Sequence, residues 1–205
     1  MYTLWRKLLY KELEKVKLTG SVLDVGGSSG AKYHDFFKKD CNLKAINLET
    51  NSSSDINFDI EQGSWPIETG FYDNIICLNV LEHIFDYKFV LKEMYRVLKK
   101  EGKIVLAVPF LLQIHPCPHD YWRFSAETLE KIFKQNGFTN IDIKAIGYGP
   151  FSASCQLKFN VYKINLVRKI AIKFNIILDK ILFLLKKQTM TTDNYPLGFV
   201  VEAQK

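Results

Sequence analysis

The chain opens with apolar residues at helical spacing. Leu4, Leu8, Leu9, Leu13 and Val16 fall near one face of a helix expected over residues 1–18, with lysines and glutamates elsewhere and Gly20 as a stop signal. Beyond it the period changes. SVLDV (21–25) is an apolar run of strand length, GGSSG (26–30) is a glycine-rich turn, and Tyr33, Phe36 and Phe37 mark a helix after the turn. NLKAINLE (42–49) predicts a second strand, DINFDI (55–60) a short third and YDNIICLN (72–79) a buried fourth. Asp86 is suited to cap a helix running to about Lys100, with Val90, Met94, Val97 and Leu98 as its inner stripe and Gly102 at its end. GKIVLAVPF (102–110) predicts the next buried strand. Ser125 then caps a helix through about Asn136, closed by Gly137, and TNIDIKAI (139–146) and LGFVVEAQ (197–204) are further strands.

Strands that are apolar almost throughout are covered on both faces. Alternating with helices, they predict an α/β fold with a mainly parallel sheet. Residues 151–190 break the alternation and predict a helical insertion. Between 156 and 187 the bases Lys158, Lys163, Arg168, Lys169, Lys173, Lys180, Lys186 and Lys187 face one acid, Asp179, and apolar residues fill the gaps. This basic amphipathic pattern suits packing on the domain with the lysines in water, a lid, a homodimer face or peripheral contact with an anionic membrane.

Composition narrows the class. At 205 residues, 47% hydrophobic and 24% charged, the chain reads as one globular domain over 1–205. The net charge of +6 leans towards anionic partners. Cys41, Cys77, Cys117 and Cys155 are widely spaced with no CxxC pair, which argues against a disulfide scaffold or zinc knuckle. No signal peptide is recognisable, and no apolar run approaches the roughly 20 residues of a membrane-spanning helix. A cytoplasmic location, with membrane association at the inner face as an option, is expected.

The first chemical signal is VLDVGGSSG, a strand feeding a glycine turn that opens a helix. Such turns let a ligand approach the backbone. Glu49, an acid at the end of the second strand, suits two ribose hydroxyls, so turn and acid together point to a nucleoside-containing ligand. Gly26, Gly27 and Gly30 do not fit the dinucleotide pattern GxGxxG. Asp24-Val25-Gly26-Gly27-Ser28-Ser29-Gly30 instead resembles the methyltransferase motif DxGxGxG, with Ser28 where the middle glycine is usual.

LNVLEHI, then RVLKKEG, then a strand ending in Pro109 resembles the core of the class I S-adenosylmethionine (SAM)-dependent methyltransferases over about residues 20–147. The resemblance implies a Rossmann-like sheet of seven strands in the order 3-2-1-4-5-7-6, the seventh antiparallel, with SAM as cofactor. It also implies cofactor roles for particular residues. Asp24, Gly26, Gly27 and Ser28 would hold the methionine end, Glu49 the ribose, Asp59 and the Ile60 amide the adenine, and Asn79 the ammonium, with Glu82 and His83 lining the cleft beyond.

HPCPHDYWRFS (115–125) follows the fifth strand and gathers histidine, acid, arginine and aromatics. For an oxygen acceptor a proton must be removed, which suits His115 or His119 oriented by Asp120. Tyr121 and Trp122 suit a sugar or ring and Arg123 an anionic group, or the three anchor the loop. A metal held by His115, Cys117 and His119 is disfavoured by the intervening prolines, and no metal is expected. The leading expectation is O-methylation of a small molecule or glycan. N- or C-methylation of a small metabolite and a non-catalytic SAM-binding subunit are the alternatives. Nucleic acid is not an expected partner, because Asn79-Val80-Leu81-Glu82 stands where amino-methylating enzymes resemble one another in an Asn-Pro-Pro-Tyr motif.

Overall fold

The computed structural model describes residues 2–28, 30–37, 40–48, 55–161, 163–185 and 192–205. Seven strands form one sheet: β1 (Gly20–Val25), β2 (Cys41–Asn47), β3 (Ile56–Asn57), β4 (Tyr72–Leu78), β5 (Leu98–Pro109), β6 (Thr139–Ile146) and β7 (Gly198–Gln204). Their order is β3-β2-β1-β4-β5-β7-β6. The first five pair in parallel, and β7 runs antiparallel between β5 and β6.

Successive strand residues point to opposite faces, and both faces are buried. Leu23, Ile75, Cys77, Ile104 and Leu106 pack with α2 (Tyr87–Val97) and α3 (Ala126–Gln135). Val22, Ile76, Val105 and Ala107 pack with α1 (Leu4–Leu13), α4 (Pro150–Leu157) and α5 (Asn165–Leu185). Side-chain caps fix three helix starts: Thr3 accepts from Arg6, Asp86 from Phe89 and Ser125 from Thr128.

Three boundaries differ from expectation. Gly20 opens β1 rather than ending a helix at 18, because α1 closes at Leu13. The helix expected after the glycine turn is a single 3-10 turn, Lys32–Phe36. The helix over 86–100 ends at Val97, and β5 starts at Leu98 without a loop. The reason lies in the carbonyls at the α2 C-terminus. Lys205 Nζ donates to Tyr95 O and Leu98 O at 2.6 and 2.7 Å, so the chain leaves the helix there with its carbonyls satisfied.

The insertion is helical, as expected. Its one acid, Asp179, is buried in α5 and accepts from Phe151 N and Ser152 N at 2.9 and 2.8 Å, so it serves the exposed amides at the start of α4. At the other end of α4, Gln156 Oε1 accepts from Leu4 N at 2.9 Å, fastening the helix to α1. Ile172 is the apolar anchor of α5, whereas Leu166, Ile170, Phe174, Ile177, Ile181 and Leu184 are exposed.

Candidate active site

The carboxyl ends of β1, β2 and β4 meet where an open parallel sheet binds ligands. Asp24 is fully buried one residue before the end of β1. Its Oδ2 accepts from Tyr33 Oη at 2.7 Å and lies 2.6 Å from His34 Nε2, while Oδ1 has no partner. Burial pushes this carboxyl up, against the lowering effect of the His34 and Tyr33 contacts. Gly27 lies directly on the carboxylate: a Cβ there would sit 1.8 Å from Asp24 Oδ2. Gly26 turns the chain with φ +73°, and a Cβ there would sit 2.6 Å from Val80. Asn47, at the end of β2, donates from Nδ2 to Gly26 O and Gly27 O at 3.2 and 3.0 Å. Asn47 thus ties the turn with two hydrogen bonds, Asp24 and Val80 leave no room for a side chain at Gly27 and Gly26, and Ser28 is exposed at the crest. A glycine cradle above a buried carboxylate oxygen without a partner fits the polar, cationic end of an amino-acid-bearing cofactor.

Asn79 adopts φ +56° just after β4, a conformation asparagine tolerates. Its Oδ1 accepts from Trp5 Nε1 at 2.7 Å. Asp59 is half-buried and accepts from Glu61 N at 3.0 Å, a turn-shaping bond beside the buried Ile60. Glu49, the expected ribose ligand, lies outside the described residues.

Beyond β4 a 3-10 turn, Leu81–His83, buries the whole Glu82 side chain. Neither carboxylate oxygen has a hydrogen-bond partner from another residue, and burial pushes the group up to about 8. His83 Nε2 and His115 Nε2 stand 3.7 and 3.9 Å from Glu82 Oε1. The loop after β5 is tied across this turn. Tyr121 N and Trp122 N both donate to Glu82 O, at 2.8 and 3.2 Å, and His83 Nδ1 bonds to His119 O. Asp120 is gripped by both Arg123 terminal nitrogens and accepts from His115 N at 2.8 Å. The Arg123 guanidinium holds the Asp120 carboxyl well below the usual carboxylate range.

A cavity of about 450 Å³ lies beside these groups, walled by Trp5, Asn79, His83, His115, Gln156 and Phe159 among others. Of loop residues 115–125, His115 and Cys117 reach this wall. His119 contributes its backbone carbonyl and is exposed. Tyr121, Trp122 and Arg123 do not line the cavity. Trp122 donates from Nε1 to Ile84 O at 3.0 Å and packs on Tyr87 and Phe124, so it anchors the loop.

Residues 1–143 match the model of a family described as a methyltransferase domain. The chain belongs to that family. It is a class I SAM-dependent methyltransferase domain. An uncharacterized protein of Methanocaldococcus jannaschii is 32% identical over 108 residues, 49% of this chain and 45% of the relative, so the match spans less than half of that relative's length. Among solved structures, a SAM-dependent methyltransferase of Archaeoglobus fulgidus superposes with a TM-score of 0.64 at 16% identity, over 98% of this chain and 94% of that one. The Burkholderia thailandensis 1,6-didemethyltoxoflavin-N1-methyltransferase, solved with its acceptor and S-adenosylhomocysteine, has a TM-score of 0.61 at 13% identity, over 98% and 80%.

For this methyltransferase the cofactor is SAM; Asp24, Gly26, Gly27, Ser28 and Asn79 lie at or just beyond the carboxyl ends of β1 and β4. Four further residues escaped the sequence reading. Trp5 and Asn47 hold Asn79 and the turn, while Tyr33 and His34 hold Asp24. Tyr33 registered only as an apolar position, and nothing in local spacing marks Asn47 or Trp5 as reaching across the sheet.

Proposed function

We propose that this methyltransferase methylates a hydroxyl oxygen of a small molecule or glycan. The observation that carries the reading is the cavity beside Asn79, with two histidines over a buried glutamate on its wall. Its size suits a ring or sugar unit, and Trp5 and Phe159 offer apolar faces to one. Bound at the glycine turn, SAM supplies a methyl group on a positively charged sulfur. An acceptor oxygen lone pair would form the new C–O bond, with the C–S bonding pair left on sulfur. The hydroxyl proton must leave, and the Glu82–His83–His115 cluster is the group situated to deal with it. A neutral amine acceptor has less need of such a cluster, which favours oxygen over nitrogen. Asp120, clamped by Arg123, would orient His115, and the carbonyl of His119 would orient His83.

The test is S-adenosylhomocysteine formation from SAM with panels of sugars, phenols and amines. Turnover confined to hydroxylated acceptors, with kcat falling about 10²–10⁴-fold in His115→Ala, is expected. Turnover on amines alone, or a binding-competent protein with no turnover on any panel, refutes the oxygen reading.

The outer face of α5 supports a peripheral site for an anionic membrane surface. Its exposed apolar stripe is flanked by Lys163, Lys169, Lys173 and Lys180, while Asp179 is buried, so the exposed charge is all of one sign. Among the described residues no helix is long and apolar enough to cross a membrane. Contact would therefore be from one side, with the catalytic domain at the inner face.

A further inference from the structure

Glu82, His83 and His115 carry an unresolved electrostatic problem. Both oxygens of a completely buried carboxylate lack partners. Burying such a group without compensation costs several kcal/mol or more. The facing imidazoles do not supply the missing donors. His83 Nδ1 bonds to the carbonyl of His119, and His115 Nδ1 lies 3.1 Å from the carbonyl of Gln113. A carbonyl only accepts, so in each neutral ring the proton sits on Nδ1 and leaves a bare lone pair on Nε2. The two Nε2 atoms lie 3.7 and 3.9 Å from Glu82 Oε1, beyond hydrogen-bond length. One donor atom from each of the three residues lies within 4.8 Å of the others.

We propose that Glu82, His83 and His115 bind one divalent transition-metal ion, of the Zn²⁺ or Mn²⁺ class, at the wall of the acceptor cavity. Ligand atoms about 2.1 Å from a common ion lie roughly 3.0–3.5 Å apart, so side-chain shifts of under about 1 Å complete the site. The donor set of two imidazole nitrogens and one carboxylate suits a first-row transition ion better than Mg²⁺ or Ca²⁺, which prefer oxygen. Each imidazole is oriented by a backbone carbonyl at its other nitrogen, as metal-binding histidines usually are. His83 and His115 line the cavity, so the remaining coordination positions open towards the acceptor. The catalytic use of the site rests on the methyl-transfer reading above. An ion there would take the acceptor oxygen and lower the pKa of its hydroxyl, which releases the proton to solvent without a protein base. This is not the His115, Cys117 and His119 set that the sequence disfavoured: Cys117 and His119, both exposed, are not part of it.

Chelator-stripped full chain is titrated with Co²⁺ and followed by visible absorption, with Zn²⁺ measured by competition. Binding of S-adenosylhomocysteine is measured separately by calorimetry. One Co²⁺ per chain is expected, with Zn²⁺ displacing it. Affinity should fall at least about 100-fold in both His115→Ala and the near-isosteric Glu82→Gln, and stay unchanged in His119→Ala. Thermal melts confirm that each variant is folded. His115 is only half-buried, so its variant keeps the test valid should Glu82→Gln fail to fold. No stoichiometric binding by a folded wild-type chain overturns the proposal, as does binding that survives His115→Ala or is lost in His119→Ala. Co²⁺ binding without homocysteine-nucleoside binding would uphold the metal site and remove the methyl-transfer reading instead.

Discussion

Gly27 and Gly30 occupy the same motif, yet the structure gives them opposite sensitivities. At Gly30 an added methyl group meets nothing within 4 Å. At Gly27 it would overlap the Asp24 carboxylate, with Oδ2 at 1.8 Å, Cγ at 2.2 Å and Oδ1 at 2.5 Å. That carboxylate has no room to yield, because it is fully buried and held by Tyr33 and His34. Forcing it aside costs about 1–3 kcal/mol in overpacking and about 1.5–3 kcal/mol for each hydrogen bond to a charged group that is lost. Gly27→Ala should therefore destabilise by about 3 kcal/mol or more, or roughly 6–12 °C in Tm for a chain of this size. Displacement of the turn should also abolish measurable binding of S-adenosylhomocysteine. Gly30→Ala should be neutral or stabilising by about 0.4–1 kcal/mol, since alanine restricts the unfolded chain, and should keep its affinity. Denaturation curves and calorimetry on the two variants decide the matter. Equal losses in both, or unaltered binding in Gly27→Ala, would refute the claim that the buried carboxylate sets the turn.

Removing the Trp5 donor by Trp5→Phe leaves Asn79 Oδ1 without its partner. S-adenosylhomocysteine affinity should then fall up to about tenfold, the worth of one buried hydrogen bond, as read by calorimetry. Asp73 is held at about 2 by the Lys99 ammonium and by the Ser21 hydroxyl and amide. Its unfolded value is about 3.9, so the unfolded chain takes up the proton first. The contribution is therefore present above pH 4 and fades as pH falls from about 4 to 2. Urea midpoints across that window should show a shallower acid loss in Asp73→Asn, and an unchanged slope counts against the assignment. The full chain should co-sediment with vesicles containing anionic lipid but not with neutral ones, and Ile170→Glu with Phe174→Glu should abolish this. Self-association without vesicle binding would make α5 a dimer face instead.

How much was legible follows from the range of the forces involved. Strand order and the antiparallel β7 were legible through family resemblance, and helix starts at Asp86 and Ser125 through local capping chemistry. The end of α2 was not, because the group that satisfies its carbonyls is Lys205, more than a hundred positions away. The same reason hid the cluster at the cavity wall. Glu82 and His83 sit in one motif, but His115 joins them only because Tyr121, Trp122 and His119 bind the later loop across the turn. Residues 115–125 drew attention for their side chains, yet much of what they do there is done with backbone atoms.

The carboxylate of Asp179 has a consequence for how the cavity communicates with the outside. From it runs an unbroken relay of directional bonds: to the first amides of α4, along that helix to Gln156, from Gln156 to the first amides of α1, and from Trp5 to Asn79. The links through Leu4 and Trp5 Nε1 are 2.9 and 2.7 Å long and join α4, α1 and the residue after β4. The outer helix is thereby tied, through α4 and α1, to Asn79 on the wall of the cavity. The insertion is thus part of the cavity's frame: it supplies Gln156 and Phe159 to the wall and braces α1 behind Trp5.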